Sequence, residues 1–71
     1  MITFSVALRY FLLGEKIAHK DWKNDYFIFR CENTIIDSMG NTFYPDLDEF
    51  ISITKIIYEA GGKVWDVYEE N

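Results

Sequence analysis

Cys31 is the only cysteine in a chain of 71 residues, and this constrains the fold more than any other feature. A chain this short buries only about 60% of the surface that its unfolded form exposes. Small domains therefore add disulfides, a structural metal or self-association to their core. One cysteine closes no intrachain disulfide. With His19 as the one histidine, the chain cannot supply the usual four Cys and His ligands of a structural zinc. No metal and no cofactor are expected. Self-association remains. Cys31 alternates with Phe29 along an apolar stretch, which predicts a buried, reduced thiol.

Composition adds two points. Aromatic residues are 18% of the chain, more than a small core hides, so some are expected in an interface or a pocket. The formal net charge is −5. Duplex DNA rewards clustered Lys and Arg, so it is not an expected partner. An acidic chain can instead occupy a basic surface, or simply stay soluble. The apolar opening is interrupted by Arg9 and framed by no basic segment or small-residue cleavage site. No run approaches the 18 or so apolar residues of a membrane span. The expected location is the cytoplasm.

Periodicity predicts one domain over residues 1–71 with the order helix, strands, helix, strand. Phe4, Ala7, Leu8, Phe11 and Leu12 follow a Thr3 cap at helical spacing, and Gly14 closes a helix over about 4–13. Lys16 to His19 is extended, and Trp22 to Asp25 is a turn. "YFIFRC" (26–31) reads as a strand. Thr34–Asp37 and Thr42–Tyr44 are strands joined by a Met39-Gly40-Asn41 hairpin loop. Asp46 and Glu49 have the spacing of an acidic capping box. A second helix then runs through Leu47, Phe50, Ile53 or Thr54, Ile57 and Ala60, with Gly61-Gly62 as its stop. Val64, Trp65 and Val67 form a last strand, and Val64 and Tyr68 are candidates for pairing with another subunit at the sheet edge. The tail Glu69-Glu70-Asn71 is expected in water. This is an α+β fold with a small, mostly antiparallel sheet and two helices, expected to be homo-oligomeric.

The sequence offers no catalytic constellation. No Gly-rich phosphate loop is present. His19 has no nucleophile near it in sequence, and Cys31 sits in a strand rather than an activating site. Asp46, Asp48 and Glu49 are accounted for by the helix start. No enzymatic activity is expected. The aromatic residues carry more information. Trp22, Tyr26, Tyr44, Trp65 and Tyr68 are amphipathic, and rings lining a groove stack on bases for about 1–3 kcal/mol each. His19, Lys20 and Lys23 lie beside Trp22 in sequence and could meet phosphate. The competing reading makes Trp22 a core plug.

Read together, the first 22 residues carry the spaced pattern F-x-x-A-L, then G-x-x-I-A-x-x-x-W. It resembles the opening of the second Thoeris anti-defence family of small phage proteins. "VWDVYEE" is similar to the closing strand of that family, and "DSMGNTFYP" is similar to its glycine hairpin and aromatic-proline corner. The resemblance covers about two-thirds of the chain. Departures fall at His19, where the family usually has arginine, and at Asp21, often glycine. Tyr44 stands where tryptophan is common, and Asp46-Leu47-Asp48-Glu49 replaces a serine-rich stretch.

The resemblance implies a homo-oligomer, dimer or tetramer, in the host cytoplasm. Such a protein sequesters a bacterial immune nucleotide without cleaving it: a cyclic ADP-ribose derivative, or a cyclic oligonucleotide in some members. It places Trp22 on the base and His19 and Lys20 near phosphate or ribose, with Tyr44 facing the ligand from the hairpin, within the chain or across a subunit boundary; Tyr26, from the amphipathic aromatic set, completes the expected binding residues. Trp65 is assigned to the core. The alternative function is an acidic inhibitor that binds a host nuclease or another defence protein.

Overall fold

The structure is a computed structural model of the chain, and it describes residues 1–58 and 62–69. The first helix, α1 (Phe4–Leu12), buries Phe4, Ala7, Leu8 and Phe11. The Thr3 hydroxyl accepts from the Val6 N–H at 3.4 Å, as an N-cap should. At the other end Gly14 takes φ +100°, a conformation that glycine adopts without penalty. The Arg30 guanidinium donates to the Leu12 carbonyl at 3.1 Å, which places a cation at the negative end of the helix.

Strands β1 (Ile17–His19), β2 (Ile28–Cys31), β3 (Thr34–Asp37) and β4 (Thr42–Tyr44) precede helix α2 (Leu47–Tyr58), and β5 (Trp65–Val67) follows it. The sheet order is β4-β3-β2-β1-β5, and every neighbouring pair is antiparallel. The expected α+β class, with two helices and an antiparallel sheet, is what the chain adopts.

The helices cover one face of the sheet. There Ile17, Ile28, Ile35 and Trp65 pack with Phe4, Phe11, Leu47 and Phe50 to form the core. Phe11, Ile17, Ile28 and Ile35 are fully buried. Burying a side chain of this kind contributes about 1.5–3 kcal/mol.

Several expectations change. Strand β2 begins at Ile28, because Tyr26 is still in the preceding turn, its N–H donating to the Lys23 carbonyl at 3.0 Å. Cys31 is exposed, not core. It alternates with Phe29 as expected, but that parity belongs to the sheet face away from the helices. In α2 Leu47, Phe50 and Thr54 are buried, as the spacing allowed, but Ile53 and Ile57 are exposed. The expected Ala60 and Gly61 positions lie outside the described residues, as do Glu70 and Asn71; Glu69 is exposed.

Edge pairing through Val64 and Tyr68 is also corrected. The Val64 carbonyl accepts from the Lys20 N–H, and the Tyr68 N–H donates to the Lys16 carbonyl, both at 2.8 Å. These groups therefore pair within the chain. The outward edge of β5 is met by Ile2, which exchanges two backbone hydrogen bonds with Trp65 at 2.7 and 3.1 Å.

One irregularity positions the aromatic residues. The β3–β4 register shifts between Ile35 and Ile36, so that Tyr44 faces Ile35 and Thr42 faces Ile36. The extra residue is Phe43. A bulge of this kind breaks the strict alternation of side chains. Phe43 and Tyr44 consequently both reach the helix side, each ring 6.0 Å from that of Phe50.

Candidate functional site

The turn between β1 and β2 and the hairpin between β3 and β4 lie side by side. Between them is a cleft of about 480 Å³, lined by Asp21, Trp22, Lys23, Asp25, Tyr26, Ser38 and Met39. Small-molecule sites ordinarily occupy about 300–1,000 Å³. The sequence places Trp22 here through local turn chemistry. The Trp22 N–H donates to the His19 carbonyl at 3.0 Å, and this swings the indole back over the end of β1.

Trp22 is half-buried in an aromatic cluster. Its ring lies 5.5 Å from Trp65 at 85°, 5.7 Å from Phe43 at 58° and 5.1 Å from Tyr26 at 84°. Edge-to-face contacts of this kind favour the positive edge of one ring against the negative face of another. They also rule out a parallel clamp formed by Trp22 and Tyr26. Those two rings already touch, so a planar ligand stacks on one ring rather than between the two. Trp22 is therefore both the core plug and the cleft wall that the two sequence readings set against each other.

Tyr26 is held from behind. Its hydroxyl donates to Asp37 Oδ2 at 3.1 Å. Asp37, 8% exposed, is a polar residue at the edge of the core. Its other oxygen accepts from the N–H groups of Met39 and Asn41 at 2.9 and 3.0 Å. One carboxylate thus fixes the hairpin loop that carries Met39 and also orients the Tyr26 ring.

Electrostatics follow from this geometry. Partial burial pushes the Asp37 carboxyl up. The Asn41 N–H, the Tyr26 hydroxyl and the Met39 N–H outweigh it and hold the group below the ordinary aspartate value. Tyr26 is raised, first by burial, then by its hydrogen bond to Asp37 and the charge there. It stays a neutral donor throughout the physiological range. Asp37 was not among the sequence-derived candidates. The available signal was an Asp two residues before the Met39 N–H in a Gly-containing turn, the spacing of an Asx-turn.

The sequence-derived residues separate into those at the cleft and those away from it. Trp22 and Tyr26 line the cleft together. His19 lies behind the indole, with its ring 5.2 Å from Trp65 and 6.0 Å from Trp22. Its side chain is only 10% exposed, and Nδ1 accepts from the Asp21 N–H at 3.1 Å. Nδ1 is thereby taken up within the turn, and the ring packs against both indoles. Lys20 is exposed, next to the cleft in sequence but not in its wall; Lys23 lines it instead. Tyr44 is not in the cleft. Its hydroxyl donates to Glu49 Oε1 at 2.9 Å. That bond, with some burial and the charges of Glu49 and Asp46, raises its pKa. Glu49 is thereby drawn to Tyr44, while the Asp46 carboxylate caps α2 through the Glu49 N–H at 3.2 Å.

Among the described residues, no group of three or more His, Cys, Asp or Glu side chains is placed to hold a metal ion. No helix among them is long and apolar enough to cross a membrane. No protein-family model, no curated protein and no solved structure matches the chain.

Proposed function

We propose that this protein binds a nucleotide through the Trp22 cleft and holds it chemically intact. The biological role we infer is that of a phage counter-defence sponge, which withdraws a cyclic ADP-ribose-type signal, or a cyclic oligonucleotide, from a bacterial immune system. The role comes from the sequence resemblance. The observation that carries the binding reading is the cleft itself, an opening of small-molecule size walled by an indole, a phenol and a thioether.

The chemistry of the wall sorts the parts of such a ligand. The base stacks on Trp22, losing water from an apolar face. Asp21 and Asp25 can only accept when ionised, so they suit ribose hydroxyls or an exocyclic amino group. Two carboxylates beside one ammonium do not suit a diphosphate. The phosphates are therefore directed outward, toward Lys23 and the neighbouring Lys20, where solvent and salt screen the net negative charge of the chain beyond about 8–10 Å.

Native mass spectrometry of the purified chain with cyclic ADP-ribose tests this reading. The expected result is a complex whose added mass equals the intact nucleotide, and release of that same nucleotide on heating. Recovery of a hydrolysed product, or no complex with any cyclic nucleotide, would contradict it.

A second reading rests on a different observation. Ile53, Ile56 and Ile57 of α2 are exposed, Ile56 by 78%, on a helix whose first turn carries Asp48 and Glu49. An acidic, apolar-ridged helix of this kind suits docking onto a host nuclease or another defence protein. A stoichiometric protein complex that excludes nucleotide would favour it over the sponge.

A further inference from the structure

Trp22 and Tyr26 meet almost at a right angle, at 84° with ring centroids 5.1 Å apart, and Met39 brings a thioether to the same cleft. A planar ligand can use only one face of such a corner, whereas a rounded group touches both rings at once. The polar part of the wall narrows the choice further. Asp21 and Asp25 line the cleft with a single ammonium, that of Lys23. All three are exposed. The long lysine stem can carry its charge out to water, while the short aspartates keep theirs at the rim. A third carboxylate, Asp37, stands behind Tyr26 and accepts its hydroxyl at 3.1 Å. The phenol therefore offers the cleft its ring rather than a free hydroxyl, and a hydrogen bond to a charged acceptor polarises that ring toward the negative.

We propose that the Trp22 cleft is a site for a small methylated ammonium ion, a trimethylammonium group of the choline type. A cation is drawn to the negative face of an aromatic ring, most strongly to tryptophan and more so as water is excluded. Trp22 is half-buried in the wall of the cleft. A trimethylammonium group has no N–H to satisfy, so it needs no array of acceptors at fixed angles. Two ring faces, a soft and adaptable thioether and an excess of carboxylate over ammonium suffice to hold it. A bare metal ion would need a tighter ligand set, and among the described residues no group of three or more His, Cys, Asp or Glu side chains is placed to supply one. The net charge of −5 raises the concentration of any cation near the surface. The site does not depend on the nucleotide reading. A base stacks on one ring, while the ammonium fills the corner between two, and Lys23 favours the first ligand and opposes the second.

Titration of choline chloride into the isotope-labelled full chain tests it, with NMR reading the Trp22 indole, the Tyr26 ring and the Met39 methyl group. Choline should give saturable shifts at all three. Dimethylbutanol, the same shape with carbon in place of the nitrogen, should bind roughly tenfold more weakly, the scale set by two cation–π contacts. Asp21→Asn/Asp25→Asn, at two exposed positions, should weaken choline binding several-fold and leave the rest of the spectrum unchanged. Lys23→Gln should strengthen choline binding, whereas the nucleotide reading expects the same change to weaken the hold on phosphate. The absence of saturable shifts with choline overturns the proposal. So does equal affinity for dimethylbutanol, a folded aspartate double variant that binds choline as well as the parent chain, or a weaker choline complex on Lys23→Gln. Cyclic ADP-ribose titrated into the same sample separates the two readings: choline binding without nucleotide binding overturns only the sponge, and the reverse overturns only the ammonium site.

Discussion

Asp37 carries more of the site than any residue singled out in the sequence. It ties Tyr26, Met39 and Asn41 together, so its protonation should loosen the hairpin and the cleft wall at once. Its folded pKa is depressed. The associated stabilisation is therefore present above the unfolded value of about 3.9 and is lost as pH falls through the lower folded value. An NMR carboxyl titration should find Asp37 titrating below that ordinary value, and Tyr26→Phe should move it back up. A Trp22→Ala chain should lose stability as well as ligand, because the indole touches Trp65 and Phe43. The loss should fall short of the ~3–5 kcal/mol of a fully buried tryptophan. Trp22→Phe is the more discriminating variant, since it keeps a ring in the cluster and reduces the stacking area. Glu32 offers a test in the other direction. It holds φ +55° in the β2–β3 turn, a conformation that costs a side chain roughly 1–2 kcal/mol. After the entropy that glycine loses on folding, Glu32→Gly should raise stability by about 0.5–1 kcal/mol in a urea melt.

At the scale of elements, α1, β3, β4 and the glycine hairpin were legible because each carries its own local signal. Periodicity and Gly14 bound α1. Gly40, at φ +84°, turns the hairpin. What was not legible depends on neighbours. Strand β2 is apolar on both faces, so alternation could not say which parity faces the helices, and Cys31 was read as core when it is exposed. The bulge that sends both Phe43 and Tyr44 toward Phe50 leaves no mark in the sequence. Tyr44 was read as a ligand residue from its place in the resemblance, and within one chain its hydroxyl is engaged by Glu49. His19 was drawn toward phosphate by its place beside Trp22, but a tight turn buries it behind the indole. The Arg30 contact with Leu12 joins residues 18 positions apart, and only the fold brings them together. Arg30→Ala should weaken the C-terminal turn of α1 by about 0.3–1 kcal/mol, seen as faster amide exchange at Leu13 and Gly14. Phe11→Ala, at the centre of the helix–sheet interface, should cost about 3–5 kcal/mol and leave so small a domain largely unfolded.

For the whole molecule, the two faces of one sheet differ. Its helix-covered face holds the core, and at one end of that layer the core's aromatic residues emerge as the wall of the Trp22 cleft. Its outer face carries Phe27, Phe29 and Tyr68, with the Phe27 ring 6.3 Å from Phe29 and 4.5 Å from Tyr68. The sponge reading needs only the first of these, and it makes a spatially specific claim. Titrating cyclic ADP-ribose into the isotope-labelled chain and following amide and indole resonances tests that claim most directly. The predicted shifts are confined to the Trp22 indole, Asp21 to Tyr26, and Ser38 and Met39, with Tyr44 and α2 unmoved. Shifts centred on α2 or on the outer sheet face, or no shifts at saturating ligand, would contradict it.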